Sequence, residues 1–254
     1  METSINLADK VSMDKIVEIM KNSVYTVAFT GAGVSTFSGL KDFRGENGLG
    51  RIMEPEKIFD INIFNRDPSF FYQQARELVY DLENIEPSVV HKELARLEKA
   101  GALQAVITQN IDRLHQRSGS QRVIEVHGTA ETAYCRNCGE KYSYHDIAPV
   151  ASEGKVPRCR ECGGVIKPDI TFYGESLPEK AVQEAVDVSS RADLIIALGS
   201  TLVVYPAASF IDTALQNGGK LIVVNNQPTP YDRYASALCS DLEEFCSITK
   251  KGIK

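Results

Sequence analysis

Short, wholly apolar runs alternate along the chain with longer stretches in which apolar residues return every three or four positions. Residues 24–30 form a β-rich run that stops at Gly31, and 105–108, 123–126, 194–198 and 221–224 repeat the form. Between them, Met13, Ile16, Val17 and Met20 make a helical stripe, and Phe71, Ala75, Leu78, Val79 and Leu82 share one face across 69–82. Val90, Leu94 and Leu97 mark another helix, with Ser88 as its cap and Gly101 as its stop. A further helical stretch runs from Pro206 to about Asn217, ended by Gly218. Apolar strands without polar alternation, spaced by helix-length segments, predict a parallel sheet covered on both faces, an α/β fold.

Two segments break this rhythm. Residues 41–68 are rich in Gly, Asn, Asp and Pro and have no strong period. Residues 131–166 hold two CxxC pairs, several tyrosines, glycines and prolines, and no helix of useful length is expected there. Both read as insertions into the sheet domain.

Composition narrows the function class. Of 254 residues, 43% are apolar and 24% charged, an ordinary globular balance. The net charge of −6 argues against a phosphate-backbone binder. No apolar run approaches the ~20 residues that span a bilayer. The first residues lack a basic start and an apolar core, so nothing marks the chain for export and a cytoplasmic location is expected. In that setting six cysteines read as a metal site plus free thiols, not disulfides.

Cys135-Arg-Asn-Cys138 and Cys159-Arg-Glu-Cys162 place two thiolates on each of two tight knuckles. Together they complete a tetrahedral sulfur site that favours Zn²⁺, and with four protein ligands the ion is structural. Glu140, Asp146, Glu153 and Glu161 dilute the basic residues nearby, so no independent nucleic-acid role is expected. Cys239 and Cys246, seven residues apart, can share a helix face and are expected to be small core hydrophobes.

Thr30-Gly31-Ala32-Gly33-Val34-Ser35 follows the first strand. Glycines there let backbone approach a pyrophosphate and expose N–H groups at a helix start. A purely structural turn fits the same residues. The third glycine of a dinucleotide fingerprint is replaced by Thr36, and no acidic residue closes a second strand about 20 residues on. Other strands also end in polar groups: Thr108-Gln109-Asn110-Ile111-Asp112, His127-Gly128, Gly199-Ser200-Thr201 and Asn225-Asn226. Ligands of open parallel sheets sit outside such carboxyl ends, so these groups predict a polar cleft. His127 ends a strand and precedes a glycine, which marks it as a catalytic candidate; His91, His115 and His145 lack that context.

These residues together resemble the sirtuins, NAD-dependent protein-lysine deacylases. Gly31-Ala-Gly-Val-Ser-Thr-Phe-Ser-Gly-Leu-Lys-Asp-Phe-Arg44 is similar to the family motif GAGxSxxSGIPxFR, with Leu40-Lys41 in place of Ile-Pro. Thr108–Asp112 matches TQNID, His127-Gly128 matches HG, and the CxxC pairs match the zinc module. Phe172-Tyr-Gly-Glu175 resembles FGE, Gly199-Ser-Thr201 matches GSS or GTS, and Val224-Asn225 matches the late VN strand end.

The resemblance implies a Rossmann-like NAD-binding domain over 1–40, 87–130 and 167–254. It also implies a cofactor-loop and helical module over 41–86 and a zinc ribbon over 131–166, the last two forming a small domain. NAD is implied as co-substrate. Gly31, Ala32, Gly33, Ser35 and Thr36 would form the pyrophosphate turn, with Phe43 and Arg44 on the cofactor loop. Gln109 and Asn110 would meet the nicotinamide ribose, and Ile111 and Asp112 the carboxamide. Gly199, Ser200, Thr201, Asn225, Asn226 and Asp241 would hold the adenosine half. His127 would be the general base, with Asn110 beside it. An acetylated-lysine peptide would add as a strand between Thr171, Phe172, Tyr173, Gly174 and Glu175 on one side and the loop through Gln227 and Pro228 on the other. Relatives that remove succinyl or malonyl groups carry Tyr-x-x-Arg on the small-domain helix. Here Tyr72 is followed by Ala75 and then Arg76, which points to acetyl or a longer neutral acyl chain. Mono-ADP-ribosyl transfer, NAD hydrolysis and a non-catalytic NAD or ADP-ribose sensor are the alternatives.

Overall fold

The computed structural model describes residues 7–42, 48, 50, 54–82 and 84–254, so Phe43 and Arg44 lie outside the described residues. Helix α1 (Leu7–Lys21) leads into strand β1 (Thr26–Thr30), and a 3-10 helix, Ala32–Ser38, follows. Helices α2 (Pro55–Ile58), α3 (Ile61–Arg66), α4 (Pro68–Val79) and α5 (Val89–Lys99) precede β2 (Ala105–Thr108). Then come α6 (Leu114–Arg117), β3 (Val123–Glu125), β4 (Gly128–Cys135), β5 (Lys141–Ser143), α7 (Tyr144–Ala151) and β6 (Ile166–Ile170). The chain closes with α8 (Glu179–Arg191), β7 (Leu194–Leu198), α9 (Ser209–Gln216), β8 (Lys220–Val224), β9 (Ala237–Cys239) and α10 (Leu242–Gly252).

Among the described residues, six strands form a parallel sheet in the order β3-β2-β1-β7-β8-β9. The expected α/β fold is present. Strand order reverses between β1 and β7, and ligands of open α/β sheets bind at the carboxyl ends of strands at such a point. Val27 and Phe29 face one side with Ile195, Ala197 and Val223, in one core with residues of α8 and α9. Ala28 faces the other with Leu194, Ile196 and Ile222, packed with α1, α5 and α10. Both faces are covered, so the strand interiors are apolar and polar residues such as Thr26, Glu125 and Lys220 fall at strand ends.

The two insertions build one lobe. Strands β5-β4-β6 form an antiparallel sheet, and α2, α3 and α4 share its core. Phe59 and Phe64 from the first insertion and Phe71 and Tyr72 from α4 pack with Tyr142, Ile147, Ile166 and Phe172. The ring centroids of Phe172 lie 5.6 Å from Phe59 and 5.4 Å from Phe64, both edge-on.

Three local expectations are corrected. The 131–166 segment does contain a helix, α7, capped by a reciprocal Ser143–Asp146 box. Its eight residues and internal Pro149 masked it. Asp60 caps the short α3 inside a stretch that reads as irregular, while Asp67 caps α4, the helix expected over 69–82. Cys239 and Cys246 share no helix face: Cys239 pairs with Val224 in the sheet, and Asp241 starts α10 only afterwards. Both thiols lie in the same buried core, as small hydrophobes do.

Candidate active site

The turns after β1 and β7 lock face to face. Gly31 N–H donates to the Leu198 carbonyl (3.1 Å) and Gly33 N–H to that of Gly199 (2.8 Å). A Cβ on Gly33 would lie 2.7 Å from Gly199 Cα, and one on Gly199 (φ +58°) would lie 2.6 Å from Val34 N. Glycine is demanded here by backbone meeting backbone. The segment continues as a 3-10 helix, not the α-helix start expected, and Gly39 in the left-handed region ends it. Ala32 and Gly33 are partly open and Thr36 is exposed.

The Thr108–Asp112 segment is tied to that turn. Asn110 Nδ2 donates to the Gly31 carbonyl and to Ser35 Oγ, both at 3.1 Å. Ser35 Oγ donates to Asp112 Oδ2 (2.6 Å), and Asp112 Oδ1 accepts from Leu114 N–H (2.9 Å). Gln109 Oε1 accepts from Ser200 Oγ (3.1 Å), while Gln109 Nε2 is buried without a partner among the described residues. Ile111 packs against the core of the small lobe.

His127 stands between the lobes. Its Nδ1 lies 2.9 Å from the Gln109 carbonyl, which can only accept. Nδ1 therefore carries the proton and Nε2 keeps a free lone pair. Burial lowers the imidazole pKa from its ordinary 6.5, and the Gln109 bond opposes this. The His127 carbonyl accepts from Thr171 N–H (2.8 Å), which joins this histidine to the segment leaving β6. His115 contacts Thr30 Oγ1 (2.9 Å) and His91 completes the Ser88 cap of α5, both in the interior, and His145 is exposed on the small lobe.

The remaining candidates are dispersed around this centre. Asn225 N–H donates to the Cys239 carbonyl (2.9 Å) and Asn225 Nδ2 to that of Gln227 (2.8 Å). Thr201 is partly open, and Asn226 and Pro228 are exposed. The Asp241 carboxylate caps α10, accepting from Glu243 and Glu244 N–H. Phe172 is 1% exposed, sealed in the small-lobe core, whereas Tyr173 is 41% exposed. Gly174 has φ +92°, and a Cβ there would lie 3.0 Å from Ile61 Cγ2. Tyr72 OH donates to the Ile166 carbonyl (2.7 Å) deep in the lobe, while Arg76 lies on the surface beside Glu77. Those two side chains form no joint anion clamp. Lys167 and Arg136, which contact Glu175, were passed over in the sequence. A lysine at a buried position of β6, whose sequence is Ile-Lys-Pro-Asp-Ile, was the available signal.

Two groups of residues fit ligands. The Sγ atoms of Cys135, Cys138, Cys159 and Cys162 all lie within 4.8 Å of one another. Tyr142 OH donates to Cys159 Sγ (3.1 Å) and holds that thiol down to about 6, toward the thiolate a zinc ion needs. The unpartnered Gln109 Nε2, the accessible Ala32, Gly33 and Thr36 of the glycine turn and the polar strand ends suit a dinucleotide at the switch point. Among the described residues no helix is long and apolar enough to cross a membrane.

Comparison with known proteins agrees with this geometry. Residues 31–206 match the model of the Sir2 family. An NAD-dependent protein deacetylase of Thermotoga maritima is 45% identical over 92% of this chain and 96% of its own. An NAD-dependent protein deacylase 2 of Archaeoglobus fulgidus is 42% identical over 86% of each chain. Among solved structures, a Sir2 enzyme superposes with TM-score 0.91 at 38% identity, covering 96% of this chain and 98% of the other. Sir2 with a peptide and NAD+ gives 0.87 at 43% identity, over 94% and 98%. With its switch point, tethered histidine and four-cysteine cluster, the chain belongs to the Sir2 family, the sirtuins.

Proposed function

We propose that the protein is an NAD-dependent protein-lysine deacetylase that moves the acetyl group of acetyl-lysine to ADP-ribose and releases nicotinamide. The observation that carries the reading is the fixed tautomer of His127, with Nδ1 bound to the Gln109 carbonyl and Nε2 left as an acceptor. NAD supplies a ribose bearing a cationic leaving group. The amide oxygen of acetyl-lysine would bond to that ribose as nicotinamide leaves. His127 Nε2 would take a proton from a neighbouring ribose hydroxyl, whose oxygen attacks the acyl carbon, and water would complete release of the lysine amine and acetyl-ADP-ribose. Ala32, Gly33 and Thr36 line the pyrophosphate, Gln109 and Asn110 the nearer ribose, and Ile111 with Asp112 the carboxamide. Ser200, Thr201 and Asn225 hold the adenosine half. Four thiolates hold one zinc ion with no ligand position left open, so its part is structural.

The peptide adds as a strand between Phe172–Glu175 and Asn225–Pro228. A neutral acyl group is preferred; what supports this is the committed Tyr72 hydroxyl and the surface position of Arg76. A cytoplasmic location suits six unbridged thiols. A panel of acyl-lysine peptides with NAD and product mass analysis tests the reading. Acetyl-ADP-ribose and nicotinamide in equal amounts are expected. A stable mass gain on the protein would indicate ADP-ribosyl transfer instead, and no nicotinamide release would indicate a sensor.

A further inference from the structure

An ion-pair cluster built on one buried lysine stands behind the Phe172–Glu175 segment. Lys167, on β6, is 1% exposed. Its Nζ pairs with Glu175 Oε2 (2.9 Å), donates to the Ile170 carbonyl (2.7 Å) and lies 4.0 Å from the Phe172 ring centroid. Glu175 Oε2 also accepts from Phe172 N–H (2.9 Å). On its other side, Arg136 Nη1 lies 3.7 Å from Glu175 Oε1, and Arg136 Nη2 donates to Asn65 Oδ1 on α3 (2.9 Å). Arg136 belongs to the first cysteine knuckle, so this arm runs from the zinc cluster. Tyr173 is pinned separately: its N–H donates to the Phe59 carbonyl (2.7 Å) and its carbonyl accepts from Ile61 N–H (3.1 Å).

An ammonium in an aromatic core is costly to desolvate, and a methionine of similar length would fill the same volume. Stability alone therefore does not account for Lys167. The pair instead fixes one carboxylate, and that carboxylate fixes the backbone of the segment. A binding strand held in its bound shape has less entropy to lose when a ligand arrives. We propose that Lys167 and Arg136 are positioning residues that, through Glu175, set the 172–175 segment in advance and so determine how tightly the acyl-peptide binds. The identity of the ligand rests on the deacetylase reading; the ordering of the segment does not.

The test compares wild type with Lys167→Met, Lys167→Arg and Glu175→Gln in the full chain. KM for acetyl-peptide and for NAD, zinc content and amide hydrogen exchange at residues 172–175 are measured. Glu175→Gln keeps an oxygen for Phe172 N–H and loses only the charge, so it stands in if Lys167→Met fails to fold. The expected result for Lys167→Met and Glu175→Gln is a rise of about tenfold in peptide KM, or about 1.4 kcal/mol. The NAD KM and the zinc content stay at wild-type values, exchange at 172–175 is faster, and Lys167→Arg restores both readouts. Unchanged peptide KM and unchanged exchange in folded Glu175→Gln would overturn the proposal, as would an equal rise in the NAD KM. If wild type turns over no acyl-peptide, the deacetylase reading fails, and exchange in Glu175→Gln still decides the clamp: faster exchange supports it, unaltered exchange overturns it.

Discussion

His127 gives the sharpest residue-level consequence. Its ring is oriented by a main-chain carbonyl, so removing the ring leaves the Gly31–Ser35 turn and Asn110 as they are. His127→Ala is expected to lower kcat by about 10²- to 10⁴-fold, the usual worth of a positioned base. NAD affinity, read by titration calorimetry, should change by no more than a few-fold. The base must be neutral, and burial lowers its pKa. The acid limb of kcat/KM should therefore have its midpoint below 6.5, the ordinary histidine value, with activity lost as pH falls through it. Gly33 makes a separate prediction. Because a Cβ would press on Gly199 Cα, Gly33→Ala should destabilise the chain by about 1–3 kcal/mol in urea titration. The glycines were legible as a signal, but their reason was not. Sequence suggests room for phosphate, and the atoms they avoid belong to a turn more than 160 residues away.

At the scale of elements, what could be read depended on local chemistry. Helix α5 was plain: Ser88 accepts from Val90 and His91 N–H, and the Val90, Leu94 and Leu97 stripe is buried. Ser88 Oγ also donates to the Val34 carbonyl (2.8 Å), so the cap ties α5 to the glycine segment. Ser88→Ala should cost about 2 kcal/mol, the upper end for a cap, measured from the denaturant midpoint. Helix α7 was not legible, since Pro149 and its length hide its period. The short α2 and α3 were missed for the same reason: a helix of four or six residues shows no repeat. Lys167 reads as a misplaced charge in β6 until Glu175 is seen to return beside it.

At the scale of the whole molecule, the parallel sheet was readable because its strands have apolar interiors without polar alternation. The small lobe was legible only through the family resemblance, because its core is shared by two segments that no local pattern connects. That sharing makes the lobe depend on its metal cluster. Cys135 and Cys159 are buried in the aromatic core, while Cys138 and Cys162 are exposed. A zinc ion held by all four would therefore join two exposed knuckle tips to the interior. The two cores of the parallel sheet contain no residue of β4, β5 or β6. Loss of the metal should thus unfold the lobe and leave the sheet standing. Cys135→Ser is expected to bind no zinc and to unfold in two steps. The first step should fall by at least about 10 °C, given the several kcal/mol a structural zinc contributes. Far-UV dichroism should keep the signal of the sheet domain between the steps, and peptide-dependent nicotinamide release should be lost at the first. A zinc-free variant that melts in a single transition at the wild-type temperature would refute the dependence, leaving the aromatic cluster as sufficient to hold the lobe.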